Sequence, residues 1–515
     1  MRISILLVVL CLPATARAFS GDIVFRASEG APARDGKDTR AVVFADVDGD
    51  GRLDLLAANF AQANNLYLNV GEGRWRPLEN DPVVTEVART TGAAFADVDG
   101  DGDEDLYLTR GHGERNALYI NRGGAQGGTQ GTFMAARACD GVTENGDSQA
   151  AAFGDLDGDG DQDLVVARRF QDDVVYWNDG IGRFWRDRDN PLGTAGGASR
   201  AVALGDLDGD GDLDIVIANS NGEDEFLYVN QGGRQGGRTG AFERRRDDPA
   251  ASAGGDTFGL ALGDLDGDDD LDLLLANRDE PGAVFLNDGA GHFHRGPSLP
   301  APRDGAAEGG AALVNDSCGG VLADLDGDGD QDIVMAERRR ACRLYVNDGG
   351  TFALRSGGAL AGLAGDSRGL ACGDIDGDGL PDLAVANGLG GDDFLLRNAG
   401  PQPVGAATAA GAPELSSEGE LVADGVVSFA CRGVPPGAAC WLVIGRARLD
   451  AGLQGAALVP APDLLLPGAP SPDGAVRWQG RWVGDESAAL LAQCWIAFAG
   501  GAPCLASNAL RVGTR

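Results

Sequence analysis

Aspartate recurs in this chain at a spacing suited to one kind of chemistry, the capture of a hard divalent cation. The first instance places Asp46, Asp48, Asp50 and Asp54 at positions 1, 3, 5 and 9 of a nine-residue loop, with glycine at 4 and 6. Calcium takes about six to eight oxygen ligands at about 2.3–2.6 Å. Carboxylates at positions 1, 3 and 5 wrap one side of such an ion, and position 9 returns as the last carboxylate. Position 7 offers its backbone carbonyl, so its side chain is free to vary; here it is Arg52. The glycines permit the left-handed backbone that turns the other groups inward.

The loop occurs seven times. Asp97, Asp99, Asp101 and Asp105 repeat it around Asp103 at position 7. Asp155, Asp157, Asp159 and Asp163 do so around Asp161, and Asp206, Asp208, Asp210 and Asp214 around Asp212. Asp264, Asp266, Asp268 and Asp272 surround Asp270; Asp324, Asp326, Asp328 and Asp332 surround Asp330; Asp374, Asp376, Asp378 and Asp382 surround Leu380. Carboxylates about 5 Å apart repel by roughly 1–3 kcal/mol per pair at effective dielectrics of about 80 to 20. That repulsion, multiplied over every loop, opposes a metal-free fold and is removed by a cation. Magnesium keeps its water and demands octahedral geometry, so the expected ion is Ca2+, about seven per chain. The fifth loop has Asp269 where the others have glycine. Asp tolerates the left-handed backbone less well than Gly, which makes this the weakest expected site.

The flanks predict the elements that hold these loops. Residues one, three and five before the first Asp are nearly all Gly or Ala, with Val43 and Val321 as exceptions, and the residues between are larger. This alternation is a strand whose small side suits the crowded centre of a ring. A second apolar strand follows the loop, as in Leu53–Ala58, and then a third, as in Leu66–Asn69. A glycine turn leads to a fourth strand starting at Trp75, Phe133, Phe184, Phe242, Phe293 or Phe352. Four antiparallel strands per repeat at a period of roughly 50–60 residues predict an all-β, seven-bladed β-propeller. The seventh repeat has a third strand at Phe394–Asn398 but no fourth, and Asp22–Phe25 is an orphan strand ahead of the first repeat. That strand is expected to complete the last blade and close the ring.

Over roughly residues 20–400 the chain resembles FG-GAP/VCBS repeats, on the seven loops, the preceding Phe-Ala-Asp or Leu-Gly-Asp, and the following Ala-Asn and Leu-Tyr-x-Asn-x-Gly pieces. These repeats form the propeller of integrin α chains and of many secreted bacterial proteins. The resemblance implies Ca2+ between the first and second strands and extracellular recognition, without implying one ligand. The D-x-S-x-S motif of the inserted adhesion domain is missing, so integrin-type ligand capture does not carry over.

The face opposite the calcium loops changes sign. Between strands two and three stand Arg110, Arg168, Arg169, Arg338, Arg339 and Arg340, expected as a ligand face. Six residues before the first Asp lie Arg40, Gln149, Arg200 and Arg368, at the expected channel mouth. The Ser or Thr before that position, often preceded by Asp, reads as a turn opening the strand. A basic mouth on an acidic ring suits an anionic glycan or an extracellular protein as partner.

Composition bounds the rest. The formal charge is -37 over 515 residues, which disfavours nucleic acid and anionic membrane as partners; seven Ca2+ would bring it to about -23. Residues 1–18 read as a secretory signal, with Arg2, an apolar run Ile3–Leu12 and Ala16-Arg17-Ala18, which predicts a secreted or periplasmic protein without membrane insertion. Residues 401–414 read as a linker and 415–515 as a small C-terminal β-sandwich. Cys431–Cys440, Cys494–Cys504 and Cys318–Cys342 are the disulfide candidates. Nucleophile-elbow, zincin, P-loop and dinucleotide motifs are missing, so no catalytic residue is assigned. The expected function is a calcium-binding recognition or adhesion scaffold, with a polysaccharide-acting enzyme or a structural spacer as alternatives.

Overall fold

The computed structural model describes residues 22–28, 36–123, 127–136, 139–194, 196–232, 237–300, 316–355, 360 and 365–402, together with the backbone of eight C-terminal strands between 414 and 512. Residues 1–18, read as a secretory signal, lie outside these, as do most of the residues read as a linker and the cysteine side chains beyond residue 402. Among the described residues no helix is long and apolar enough to cross a membrane.

Each aspartate loop joins the first two strands of a four-stranded antiparallel sheet. In the third repeat the strands are Ser148–Gly154, Asp163–Arg168, Val174–Asn178 and Phe184–Arg186. The other repeats follow the same order, and the fourth strands begin at the aromatic residues the sequence marks. In the seventh repeat the fourth strand is Asp22–Ala27, paired antiparallel with Phe394–Gln402. That third strand runs past Asn398 because Asp22 and Ile23 pair with Gln402 and Pro401. Residues 401 and 402, expected in the linker, thus lie in this strand.

The core is a ring of interfaces rather than one centre. An apolar cluster fills each junction between neighbouring sheets. One joins Leu156, Val165 and Trp177 to Ile215, Phe226 and Tyr228. The cluster of Val42, Leu55 and Ala57 with Ile375, Ala384 and Leu395 joins the first sheet to the seventh and closes the circle. Inner strands approach closely where their residues are small. A Cβ built on Gly259 would lie 2.7 Å from Cα of Gly319 in the next sheet, so no side chain fits there.

A second ring runs through the aspartate loops. An asparagine in each third strand, its last residue except in the seventh blade, donates its backbone N–H to the position-9 carboxylate of its own blade. Asn178 donates to Asp163 at 2.9 Å and Asn230 to Asp214 at 2.8 Å. The same side chain donates from Nδ2 to the position-2 carbonyl of the preceding blade: Asn121 to Val47, Asn178 to Val98, Asn230 to Leu156, Asn287 to Leu207, Asn347 to Leu265 and Asn398 to Leu325. Asn69 of the first blade reaches Ile375 of the seventh at 2.8 Å, so the circuit is complete.

Beyond the propeller, two antiparallel sheets form. One contains Glu414–Glu418, Val426–Arg432 and Val476–Arg481; the other contains Leu464–Gly468, Ala439–Ala447 and Ala489–Ala497, with two short strands. Cys431 and Cys440 thus fall in different sheets, not across one hairpin as expected. Cys318 and Cys342 are free thiols. Cys318 lies on an inner strand, and Cys342, ahead of a third strand, donates to Ser367 Oγ at 3.7 Å in the next blade.

Removing one link should weaken the ring. Asn178→Ala removes one of the two donors to the Val98 carbonyl, leaving the Gly182 N–H, and is expected to cost about 0.5–1.5 kcal/mol, read from urea unfolding of the calcium-loaded protein. A loss below about 0.5 kcal/mol would mean that the clasp is idle.

Candidate metal centres and the channel mouth

Each aspartate loop is pre-shaped by its own hydrogen bonds. Position 1 is an anchor: Asp155 Oδ1 accepts from the N–H groups of Gly158 and Asp159, and Oδ2 from Gly160, at 2.8–3.1 Å. Position 5 accepts from the N–H of position 7, as Asp159 does from Asp161 at 3.0 Å. Position 9 is a hub. Asp163 Oδ2 accepts from Leu156 N, and Oδ1 from Asn178 N; all seven copies make this pair of bonds.

Position 3 is different. Oδ1 of Asp48, Asp157, Asp266 and Asp326 is buried with no hydrogen-bond partner among the described residues. A carboxylate oxygen withdrawn from water without a donor costs free energy unless a cation meets it. Oxygens of Asp46, Asp48 and Asp50 lie within 4.8 Å of one another, as do those of Asp97, Asp99 and Asp101 and of Asp206, Asp208 and Asp210. In two loops position 9 joins instead, giving Asp155, Asp157 and Asp163 and, in the fifth loop, Asp264, Asp266 and Asp272. Ligands around one Ca2+ are at most about 5 Å apart, so these donor sets fit the ion. In these five loops the side chains at position 7 lie outside the sets. Asp103, Asp161, Asp212 and Asp270 pack over glycines of their blade's third-to-fourth-strand turn, which puts that turn on the same face as the loops. In the first loop Arg52 pairs with Asp50 instead.

The other end of the inner strand, about 20 Å away at about 3.3 Å per residue, is a cavity of about 490 Å3. Among its lining residues are Arg40, Thr91, Gln149, Arg200, Phe258, Cys318 and Arg368, one equivalent position in each blade. Each sits at an irregularity in the pairing of strands one and two, such as Ser148/Ala150 and Ser199/Ala201. A bulge leaves its extra residue unpaired and re-aims its side chain. Phe60, His112 and Arg169 complete the wall, which contains no carboxylate.

The expected ligand-face arginines divide. Arg169 reaches the mouth. Arg110 pairs with Glu86 at 2.9 Å, Arg168 with Glu144 at 3.2 Å and Arg338 with Asp366 at 3.2 Å. Arg339 is exposed and Arg340 half-buried, and neither lines the cavity. The Ser and Thr residues read as turn formers do more. Three of their hydroxyls reach buried carboxylates of the preceding blade, Thr39 to Asp393 at 2.7 Å, Ser199 to Asp173 at 3.0 Å and Thr257 to Glu225 at 2.5 Å, whereas that of Ser317 reaches Glu337 of its own blade. Burial pushes Asp173 up to about 7 and Glu225 up to about 8. They sit between blades, outside the cavity wall. The clasping asparagines were not assigned a role from sequence, although each follows its position-9 Asp by 15 or 16 residues.

A family model described as FG-GAP-like repeat matches residues 46–108, 155–217 and 324–385. The chain contains FG-GAP-like repeats. Each matched FG-GAP-like segment opens on the first Asp of a loop and ends in the second strand of the next blade. The fifth loop, with Asp269, lies outside the matched segments. Cartilage acidic protein 1 of Homo sapiens is 26% identical over 305 residues, covering 53% of this chain and 43% of that protein. The chain therefore aligns with less than half the length of this relative. Among solved structures, BBS1N in complex with ARL6DN has 13% identity and a TM-score of 0.45, covering 74% of this chain and 99% of that one. Saccharomyces cerevisiae Sqt1 has 10% identity and a TM-score of 0.41, covering 72% and 99%. The propeller assignment rests on the strand pairings.

Without a cation, burial pushes the position-9 carboxyls of Asp54, Asp105, Asp163, Asp214, Asp332 and Asp382 up to about 7, against the pull of their backbone donors. In the unfolded chain such groups titrate near about 4. Between those values the folded chain binds more protons than the unfolded one. Chelated protein is therefore expected to lose stability as pH rises from about 4 to about 7, while calcium-loaded protein does not. Melting curves at constant ionic strength test this, and a flat chelated profile over that window contradicts it. Asp269 holds φ at +69° where the other six loops have glycine at +83° to +100°. A Cβ at those glycines meets nothing within 4 Å, so only the backbone conformation is at issue. Asp269→Gly is expected to tighten calcium at the fifth loop and to add up to about 1 kcal/mol of stability, read by calorimetric titration and melting.

Proposed function

We propose that the chain is a calcium-loaded, non-enzymatic propeller scaffold for recognition outside the cytoplasm. The observation that carries this is the set of buried, donorless position-3 oxygens of Asp48, Asp157 and Asp266 beside two further carboxylates each, with that of Asp326 buried in the same way. Positions 1, 3 and 5, with position 9 and the carbonyl of position 7, would hold the ion. The ion supplies charge neutralisation and cross-links each loop. The chain's own residues contribute the anchors at position 1 and the clasps at position 9 that keep the cage open.

Placement outside the cell is supported by the FG-GAP-like match and by the human relative, which is named for cartilage and for acidity; this chain shares the acidity, at -37. The partner is an extracellular protein or an anionic glycan. Repelled by the acidic loop face, such a glycan would meet the opposite face.

Titration of metal-free protein should show about seven Ca2+ per chain, and chelation should lower the melting temperature in a way that calcium restores and magnesium does not. Melting unchanged by chelator would sink the calcium reading. A glycan and protein array probed with the calcium-loaded chain tests recognition separately.

A further inference from the structure

The bulged residues at the channel mouth form a site distinct from the metal cages. We propose that this mouth binds a monoanionic, carboxylate-bearing small molecule of sugar-acid size, with Arg200 as its charge partner. The proposal deepens the recognition reading by naming a ligand class, and it rests on that reading only for where the ligand is met.

The charge count selects a monoanion. Arg40, Arg169 and Arg368 each have a carboxylate behind them, at 2.8 Å from Asp38, 2.7 Å from Asp147 and 2.5 Å from Asp366. Arg200 has no carboxylate within ion-pair distance among the described residues. Its Nε donates to Ser220 Oγ and its Nη1 to Gln149 Oε1, both at 3.0 Å and both neutral. Arg200 is thus the bulged arginine without an ion pair among the described residues; Asp366 is shared between Arg368 and Arg338, and Asp147 and Asp256 act on Arg200 only from beyond ion-pair distance. Burial, with Arg169 next in weight, pushes Arg200 down to about 10. A ligand carboxylate would relieve that penalty, and a guanidinium offers it paired donors.

The remaining surface suits an organic body. The Arg200 guanidinium lies 4.5 Å over the ring of Phe258, and that of Arg40 lies 4.6 Å over Phe60. Stacking of this kind holds the donors in place before a ligand arrives. Arg40 Nε is buried and has no acceptor among the described residues. The volume of about 490 Å3 falls within the range of small-molecule pockets. The bulges make the arrangement non-accidental in form: each blade sends one side chain to the mouth, but only three of the seven are arginine, so the ring is built for one oriented ligand and not for a symmetric one.

The test is calorimetric titration of the calcium-loaded full chain, at fixed ionic strength, with glucuronate, acetate and glucose. Glucuronate is expected to bind and glucose not. Glucuronate tighter than acetate assigns the site to sugar acids; equal binding assigns it to carboxylate alone. Arg200→Gln should weaken glucuronate by at least about tenfold. Gln149→Glu places a fixed carboxylate beside Arg200 without removing it and should abolish binding, so the proposal stays testable if the first variant folds poorly. No binding of either acid at about 10 mM, equal binding of glucose, or unchanged binding in the folded variants would overturn it. Calcium-dependent melting is read on the same sample, so the scaffold and the site can fail independently.

Discussion

The position-9 aspartate and the asparagine it receives are the joint on which the ring depends. Asp163 accepts from Leu156 in its own loop and from Asn178 at the end of the third strand, and Asn178 then grips Val98 in the preceding blade. Every blade repeats this, and Asn69 to Ile375 closes the circuit. The joint is buried, where an unmade hydrogen bond costs more than a made one contributes. A metal loop therefore cannot change shape without disturbing two blades. A cation held in the loops would be coupled to ring closure through these few atoms.

The inner strand separates two chemistries. At its end, carboxylates crowd together and await positive charge. At its start, bulges turn one residue per blade toward the axis, and three of the seven are arginine. The acids behind Arg40, Arg368 and the neighbouring Arg169 keep the mouth from being strongly basic, leaving Arg200 without an ion pair among the described residues. Local charge balance, more than the overall -37, decides what each face can bind.

The Ser and Thr hydroxyls show how one residue type acquires a role from its surroundings. Beside Asp in sequence, Ser199 reads as a turn former; in the ring its hydroxyl meets Asp173 of the preceding blade. Asp173 and Glu225 are buried carboxyls raised toward neutrality, a condition also found in general acids. Their positions between blades and their hydroxyl partners assign them to packing.

What the sequence determined by itself was local. The aspartate cage is written within nine residues, the strands within alternations of five to seven, and the missing fourth strand was visible as a gap matched by Asp22–Phe25. What tertiary structure decided was every contact between blades. Asn178 and Val98 are 80 residues apart, and the 15- or 16-residue offset of each asparagine hints at its importance without naming its partner. Arg168 and Arg338 looked free for a ligand until the ring brought Glu144 and Asp366 against them. The bulges that aim Arg40 and Arg200 inward leave no trace in hydropathy, because an extra residue in a pairing is defined only by the strand beside it.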